Sequence, residues 1–350
     1  MNTLQIETRH IGPGRPTMVI AELGVNHDGS AQKAVELVKI AQACGADAVK
    51  IQIFRATALM HSSSTLAGYQ RGKTADAHPI DMLKRYELST PDIRRIVKEI
   101  RERGMLPLAT PFSLGDLEPI DTLRLPAIKI ASPDLVNRPL LAAAARLGKP
   151  LLISTGAAEL SEVETTVGWL KEWGASFALL HCISAYPTPP AQANLCWIGE
   201  LARQFDVPIG YSDHTTEALC GAMAASAGAA IIERHLTHDR NAKGPDHAAS
   251  SDPAQFERYV KLIREADILR GTPGKHMLEI EQDVRKVSRQ SLVVRRALQP
   301  GDLLREEDLT VQRPGTGLPS AQITQAVGRR IVKSVAAGSL LAWDMLSDAA

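Results

Sequence analysis

The chain has 350 residues, with 40 Lys and Arg against 39 Asp and Glu, and a formal net charge of +1. Its 44% hydrophobic and 23% charged content is typical of a globular protein and excludes a disordered or fibrous chain. The near-zero charge and the 4% aromatic content argue against a nucleic-acid-binding protein, which would need basic patches and stacking side chains.

The sequence shows no recognisable targeting signal and no cysteine spacing typical of disulfide pairing. No apolar run approaches the ~20 residues of a membrane span, and the first residues lack the apolar core of a signal peptide. The four cysteines have no C-x-x-C spacing and are too sparse for a disulfide framework. We therefore expect a cytoplasmic protein with reduced thiols.

Helical patterns and short apolar runs alternate along residues 1–270. Helices are predicted at 31–44, 90–103, 216–227 and 253–269, with Thr90 as an N-cap. A capping box at Ser161–Glu164 predicts another helix start. The strand-like runs are 18–23, 48–53, 106–110, 127–132, 151–155, 177–182, 208–213 and 230–235.

Strands that alternate with helices predict parallel βαβ units, and the continuous apolar runs predict strands covered on both faces. About eight such units close a (β/α)8 TIM barrel, which we place at residues 1–270. A doubly wound sheet is the alternative, but the first strand is not followed by the G-x-G-x-x-G phosphate loop. Residues 271–290 are polar and predict a linker, and 291–350 predict a small β-rich domain with P-G-D and R-P-G turns.

Polar side chains follow nearly every predicted strand. Because catalytic groups of a TIM barrel lie at the carboxyl ends of its strands, we expect these side chains to share one rim. Lys50 and Lys129 lie within apolar runs, where a buried lysine needs an anion. With rim hydroxyls they predict a phosphate or carboxylate site, or one lysine is a Schiff-base nucleophile. The hydroxyls are those of Thr110, Ser132, Ser154 and Ser212.

His214 and His235 end the last two predicted strands. Two neighbouring imidazoles there predict a divalent-cation site with open positions for water and substrate. His238 lies three residues past His235 and points away from it on an extended segment, so we leave it out of the metal site. Glu22 ends the first strand and is a candidate metal ligand, acid/base or partner of a rim cation.

Ten motifs spread along the chain resemble the sialic acid synthases, a family of nonulosonic-acid synthases that includes spore-coat polysaccharide synthesis proteins. The resemblance runs from about Met18 to Met345 and is highly specific as a set. The motifs are AELGVNHDGS (21–30), GADAVKIQIF (45–54), TPF (110–112), KIAS (129–132), GKPLLISTG (148–156), HCISAYPTPPAQANL (181–195), GYSDHT (210–215), ERH (233–235), GPDHAAS (244–250) and RPGTG (313–317).

This resemblance implies a C-terminal antifreeze-like (SAF, β-clip) domain that caps the barrel of the other subunit in a domain-swapped homodimer. It also implies a condensation of phosphoenolpyruvate with an open-chain N-acyl amino sugar, which gives a nine-carbon α-keto acid and phosphate. Lys50, Lys129 and the four rim hydroxyls would bind phosphoenolpyruvate, and Mn²⁺ or Mg²⁺ would bind His214 and His235. Glu22 would stabilise the cationic centre. The sugar would contact Gln52, Tyr186, Asp246 and the partner's Arg313.

Departures from the family motifs lie near the sugar positions, at Ile53, Pro133, Asp134, Ser184 and His238. They leave open which sugar is bound: N-acetylmannosamine, its 6-phosphate or a diacetamido-trideoxy hexose. Two other functions remain as alternatives. One is a pyruvate aldolase that uses Lys129 as a Schiff base, and the other is an inert barrel carrying an ice- or carbohydrate-binding domain.

Overall fold

The computed structural model describes residues 3–62, 64–65 and 78–348, and the chain divides into two units, Met1–Thr272 and Pro273–Ala350. Within the described residues, no helix is long and apolar enough to cross a membrane.

A closed barrel of eight parallel strands forms the first unit, which confirms the predicted TIM barrel and excludes the doubly wound sheet. Each strand pairs with the next in sequence, and the last pairs with the first. The strands of this unit, including an N-terminal hairpin, are β1 Leu4–Ile6, β2 Arg9–Ile11, β3 Met18–Glu22, β4 Ala48–Ile53, β5 Leu106–Pro111, β6 Ile128–Ile130, β7 Leu151–Ser154, β8 Phe177–Cys182, β9 Ile209–Asp213 and β10 Ile231–His235.

Helices follow the barrel strands and cover them with apolar faces. They are α1 Ala31–Ala43, α2 Ala56–Leu59, α3 Pro79–Lys84, α4 Thr90–Glu102, α5 Leu117–Thr122, α6 Arg138–Arg146, α7 Leu160–Glu172, α8 Cys196–Gln204, α9 Ala218–Ser226 and α10 Pro253–Arg270.

Two helix starts differ from the prediction. Ser89 rather than Thr90 caps α4, because its hydroxyl accepts from the backbone N–H of Asp92. The capping box of α7 joins Glu159 and Glu162, two residues before the predicted box at Ser161. At α7 the Glu162 carboxylate accepts from the backbone N–H of Glu159 over 2.8 Å, so the helix begins before the predicted Ser161.

The hairpin of β1 and β2 was not predicted from the sequence. Its buried Leu4, Ile6 and Ile11 belong to one apolar cluster with barrel residues such as Met18 and Leu106. These barrel residues lie at the amino-terminal ends of their strands, so the hairpin packs against that end of the barrel interior. The polar cavity is left to the opposite, carboxyl end.

A buried polar network joins β9 and β10 on the outer face of the barrel. Arg234 Nη1 donates to Asp213 Oδ2 over 2.9 Å, and Arg234 Nε donates to Ser251 Oγ over 2.6 Å. The hydroxyl of Tyr259 on α10 donates to Asp213 Oδ2 over 2.7 Å. Because strand side chains alternate between faces, this outward network fixes the register at which His235 and its neighbours point inward.

The second unit has an antiparallel pair, β11 Ser291–Val294 and β12 Leu309–Gln312. Its own apolar cluster includes Leu292, Leu304 and Leu341, all fully buried. The segment predicted as a linker, 271–290, contains helix α11 Gln282–Ser288, and α12 Ile323–Ala326 follows later.

Candidate active site

A cavity of about 420 Å³ lies at the carboxyl ends of the barrel strands. Because parallel strands deliver their last residues to one rim, every predicted site residue of the first unit lines it. These residues are Glu22, Lys50, Gln52, Thr110, Lys129, Ser132, Ser154, Tyr186, Ser212, His214, His235 and Asp246. Arg313 belongs to the second unit and is exposed just after β12.

Lys50 is held at the bottom of this cavity by two carboxylates. Its Nζ lies 2.9 Å from Glu233 Oε1 and 3.4 Å from Glu22 Oε2, and all three side chains are buried. Burial opposes ionisation of both glutamates. It dominates at Glu22 and raises the pKa of that carboxyl, whereas the ammonium groups of Lys50 and Lys129 outweigh it and lower the pKa of Glu233.

Lys129 is the second buried cation. Its Nζ donates to Ser154 Oγ over 2.6 Å and to the Ile130 carbonyl over 2.9 Å. Burial lowers the pKa of Lys129 to about 8, with Glu233 opposing and Lys50 reinforcing that effect. At neutral pH the cavity floor therefore carries two ammonium groups against one firmly ionised carboxylate, which is suited to an anionic ligand.

Several buried oxygens in the cavity have no hydrogen-bond partner among the described residues. They are Glu22 Oε2, Thr110 Oγ1 and Glu233 Oε2. Buried polar atoms in folded proteins are nearly always paired. A cluster of buried oxygens without hydrogen bonds beside two lysines is therefore typical of a site completed by a polar ligand.

The two histidines face each other across the cavity, with ring centroids 5.8 Å apart. His214 Nδ1 is 2.9 Å from the Ile183 carbonyl, so the neutral imidazole carries its proton on Nδ1 and its lone pair on Nε2. Burial disfavours the charged ring, but Cys182 and this carbonyl outweigh it and raise the pKa of His214. His235 Nδ1 is buried without a hydrogen bond. Burial, His214 and Lys50 lower the pKa of His235 to about 3, so this imidazole is neutral, as a metal ligand must be.

Among the residues that the structure describes, the two histidines are not joined by further side chains in a complete metal site. Within the described ranges, no group of three or more His, Cys, Asp or Glu side chains is placed to hold a metal. A two-histidine site would therefore leave most coordination positions for water and substrate. His238 lies outside the cavity, with its ring 5.5 Å from that of His247.

The predicted sugar contacts lie around the histidines. Gln52 Nε2 donates to Glu22 Oε1 over 3.1 Å, and the Tyr186 ring is 4.1 Å from that of His214. Asp246 Oδ2 is 3.9 Å from His235 Nδ1. Gly24 packs against both groups, since a Cβ built there would lie 2.9 Å from Asp246 Oδ2 and 3.0 Å from His235 Nδ1.

Glu233 is the site residue that sequence reasoning missed. The signal was present in the strand AIIERH, because residues two apart on a strand share a face. Glu233 therefore points into the cavity with His235, whereas Arg234 points outward to Asp213. Cys182 was also not predicted as a site residue. Its thiol lines the cavity, 3.7 Å from His214 Nδ1.

The sequence profile of the NeuB family matches residues 37–275, and that of the SAF domain matches 289–347. The chain belongs to the NeuB family. The NeuB profile covers most of the barrel unit, and the SAF profile covers most of the second unit.

Relatives within the NeuB family resemble this chain over nearly its whole length. It is 37% identical to the N,N'-diacetyllegionaminic acid synthase of Legionella pneumophila, over 95% of each chain. It is 31% identical to the human N-acetylneuraminate-9-phosphate synthase, over 93% of this chain and 92% of that one. The crystal structure of N-acetylneuraminic acid synthetase from Leptospira borgpetersenii, in complex with citrate, has a TM-score of 0.73 at 30% identity, over 81% of this chain and 95% of that one.

Proposed function

We propose that this protein condenses phosphoenolpyruvate with an open-chain N-acyl amino sugar to give a nine-carbon α-keto acid and phosphate. The observation that carries the proposal is the pair of buried lysines, Lys50 and Lys129, next to buried oxygens that have no hydrogen bond among the described residues. The relatives named as sialic, legionaminic and pseudaminic acid synthases support the same reaction class.

Phosphoenolpyruvate is an anion with a carboxylate and a phosphate, so it needs cations and hydroxyl donors. Lys50 and Lys129 supply the charge, and their ammonium groups are fixed by Glu233 and Ser154. Fixed donors bind such groups without reorganisation at the moment of reaction. The hydroxyl donors are those of Thr110, Ser132, Ser154 and Ser212.

The affinity of the metal-free protein for phosphoenolpyruvate is expected to fall as the pH rises through about 8, because Lys129 then loses its proton. Above this pKa the loss approaches about tenfold per pH unit for one required proton. Calorimetric titrations from about pH 7 to about pH 10 test this. In Lys129→Arg, whose side chain stays protonated, the affinity for phosphoenolpyruvate should not fall above pH about 8. An affinity that does not change with pH in the unmodified protein would contradict the role of Lys129.

His214 and His235 fit a divalent cation, because His214 Nε2 is left free and the buried His235 Nδ1 has no hydrogen bond. We propose that they hold Mn²⁺ or Mg²⁺, which would supply Lewis-acid polarisation of the sugar aldehyde. Ile183 orients the ring of His214 through its carbonyl. Asp246, beside His235, keeps the sugar end of the cavity polar.

Glu22 lies between Lys50 and Gln52. Its Oε1 accepts a hydrogen bond from Gln52, and its Oε2 lies 3.4 Å from Lys50 Nζ. Its raised pKa places the carboxyl near the range in which it exchanges a proton at neutral pH. We propose that Glu22 stabilises the cationic centre left on the former enol carbon. It also directs the water whose attack leads to loss of phosphate.

The sugar is proposed to contact Gln52, Tyr186 and Asp246 in the same cavity. Arg313 is proposed to serve the site of a partner subunit within a domain-swapped homodimer. These contacts would hold the aldehyde against the enol carbon, and such positioning accounts for a large part of the rate in a two-substrate reaction.

Phosphate release tests the reaction. We expect release only when phosphoenolpyruvate and an N-acyl amino sugar are both present, together with a product whose mass is that of the nine-carbon keto acid. Glu22→Gln should abolish turnover while retaining phosphoenolpyruvate binding. Release with either substrate alone would contradict the proposal.

The Schiff-base aldolase is the competing function, and the lowered pKa of Lys129 is the observation in its favour. Its Nζ, however, already donates two hydrogen bonds, which suits an ammonium group better than a nucleophilic amine. Borohydride trapping with pyruvate separates the two functions, because a covalent adduct on Lys129 forms only in the aldolase.

Chelation is expected to stop turnover if the two histidines hold the cation. His214→Ala combined with His235→Ala should lower metal affinity below detection and reduce kcat by at least about 10²-fold, the usual scale for loss of electrophilic stabilisation. Calorimetry with Mn²⁺ measures the binding, and His238→Ala is the control because His238 lies outside the cavity. Turnover retained in the double variant would overturn the metal assignment.

A further inference from the structure

The carboxyl ends of β6, β7 and β8 meet at Gly156. Thr155 extends the pairing of β7 with β8, because its backbone N–H and its hydroxyl both donate to the Leu180 carbonyl, over 3.0 Å and 3.2 Å. Gly156 is the next residue, and it is approached by Ser132, which follows β6, and by Cys182, which ends β8. Three neighbouring strands of the barrel are therefore joined at one glycine.

The backbone N–H of Gly156 donates to Ser132 Oγ over 3.0 Å. Ser132 lines the cavity, whereas Gly156 is not among the described residues that line it. A hydroxyl oxygen that accepts a hydrogen bond keeps its own hydrogen for another acceptor. Cys182 is also in hydrogen-bonding contact with Ser132, but sulfur is a weak acceptor. The hydroxyl hydrogen of Ser132 is therefore available to a ligand oxygen.

Ser154, at the end of the neighbouring strand β7, has the same arrangement. Its Oγ accepts from Lys129 Nζ over 2.6 Å, so its hydroxyl hydrogen is also available to a ligand. Two hydroxyls of the rim are thus oriented by donors within the protein, one a lysine and the other the backbone N–H of Gly156. Donors fixed in this way bind an anion without reorganisation.

The packing around Gly156 requires the absence of a side chain. A Cβ built there would lie 2.5 Å from Ser184 Oγ, 2.9 Å from Ser132 Oγ and 3.0 Å from Cys182 Sγ. The φ angle of Gly156 lies outside the left-handed region that favours glycine, so the backbone would accept alanine and these contacts alone oppose it. Short side chains relieve such contacts by rotation about χ1. Rotation of Ser132 would break its hydrogen bond with the Gly156 N–H.

We propose that Gly156 is a positioning residue of the phosphoenolpyruvate site. Its N–H directs the hydroxyl of Ser132 toward the bound anion, and its lack of a Cβ leaves Ser132 in the rotamer that accepts this hydrogen bond. Gly156 itself does not touch the ligand. The inference rests on the proposed reaction, in which Ser132 is one of the hydroxyl donors, and adds a residue that acts through it.

Gly156→Ala is expected to lower the affinity for phosphoenolpyruvate by about 10- to 100-fold, the scale for loss of one hydrogen bond to a charged group. Calorimetric titration of the full-length protein at neutral pH measures the affinity. Gly168→Ala is the matched control, because Gly168 lies on α7 and a Cβ built there would have no described atom within 4 Å. Unchanged affinity in Gly156→Ala would overturn the inference.

A double-mutant cycle determines whether Gly156 acts through Ser132. Ser132→Ala alone should lower the affinity for phosphoenolpyruvate to a similar extent. Gly156→Ala should then cause little further loss, because the hydroxyl that it orients is already gone. Residues that act through one another depart from additivity in this way, whereas independent residues do not. Additive losses would overturn the inference.

Hydrogen–deuterium exchange provides a second measurement that needs no substitution at Gly156. In Ser132→Ala the amide of Gly156 loses its acceptor and should exchange faster, whereas the amide of Thr155, which donates to the Leu180 carbonyl, should stay protected. Phosphoenolpyruvate should slow exchange at Gly156 in the unmodified protein but not in Ser132→Ala. Equal exchange at Gly156 in the two proteins would overturn the inference.

Binding by the unmodified protein separates this inference from the proposed reaction. If the unmodified protein binds phosphoenolpyruvate and Gly156→Ala binds it equally well, the positioning role alone fails. If the unmodified protein does not bind phosphoenolpyruvate, the proposed reaction fails and the inference fails with it.

Discussion

Lys50→Met is expected to lower kcat/KM for phosphoenolpyruvate by about 10³-fold, the upper range for loss of one preorganised electrostatic contact. Lys50 pairs with both Glu22 and Glu233. Without its charge, two buried carboxylates face Lys129 alone, and the floor of the cavity no longer favours an anion. Steady-state kinetics at fixed sugar concentration, with calorimetric binding of phosphoenolpyruvate, measure both effects.

The fold should survive this change, because the methionine side chain is only one atom shorter than that of lysine and the glutamates can take up a proton. Circular dichroism and thermal melting check that point. Lys98→Met is the control, since Lys98 is exposed on α4 and pairs with Glu102 across 3.6 Å. Lys50→Met with activity within a few-fold of the control would remove Lys50 from the proposed site.

Asp213→Ala is expected to lower the free energy of unfolding of the barrel unit by about 3–5 kcal/mol, the usual cost of removing one partner of a buried ion pair. Asp213 accepts from Arg234 and from Tyr259, and Arg234 is 4% exposed. Its guanidinium would remain buried with its main counter-charge gone. The burial that penalises a charge thus makes this pair costly to break.

Urea unfolding followed by tryptophan fluorescence measures the change. Asp81→Ala is the matched control, because Asp81 and Lys84 form an exposed pair across 3.9 Å and exposed pairs contribute about 0–1 kcal/mol. Activity gives a second readout. Because Asp213 and Arg234 pair in register on β9 and β10, their loss should also disturb His214 and His235. Equal stability of the two variants would contradict the structural role of the network.

Much of the barrel was predictable because its sequence rules are local. Each strand is a short run of apolar residues covered on both faces, and each helix has an apolar stripe. Once parallel strands are placed in order, their carboxyl ends must meet at one rim. That step alone brings Glu22, Lys50 and His235 together, although they are distant in sequence.

Short and irregular features were less predictable. The hairpin β1–β2 has three-residue strands, too short to show a period. It is stabilised by contacts with barrel residues far along the chain. The helix α11 lies in a polar segment that resembles a linker in composition. The capping box of α7 has Glu159 as its N-cap. Ser161, two residues later, was predicted instead because serine is the more common N-cap residue.

The sequence by itself determined the (β/α)8 architecture, the SAF domain and the family, because these depend on periodicity and on motifs that are read locally. Only the tertiary structure decided which charged side chains pair with each other and how their pKa values shift. Glu233 pairs with Lys50 whereas the next residue, Arg234, pairs with Asp213, and composition cannot distinguish these partners. The pKa of Glu22 and that of Lys129 are set by burial and by neighbours from other strands. Electrostatic energies depend on distance and dielectric environment, and both exist only after the chain has closed into a barrel.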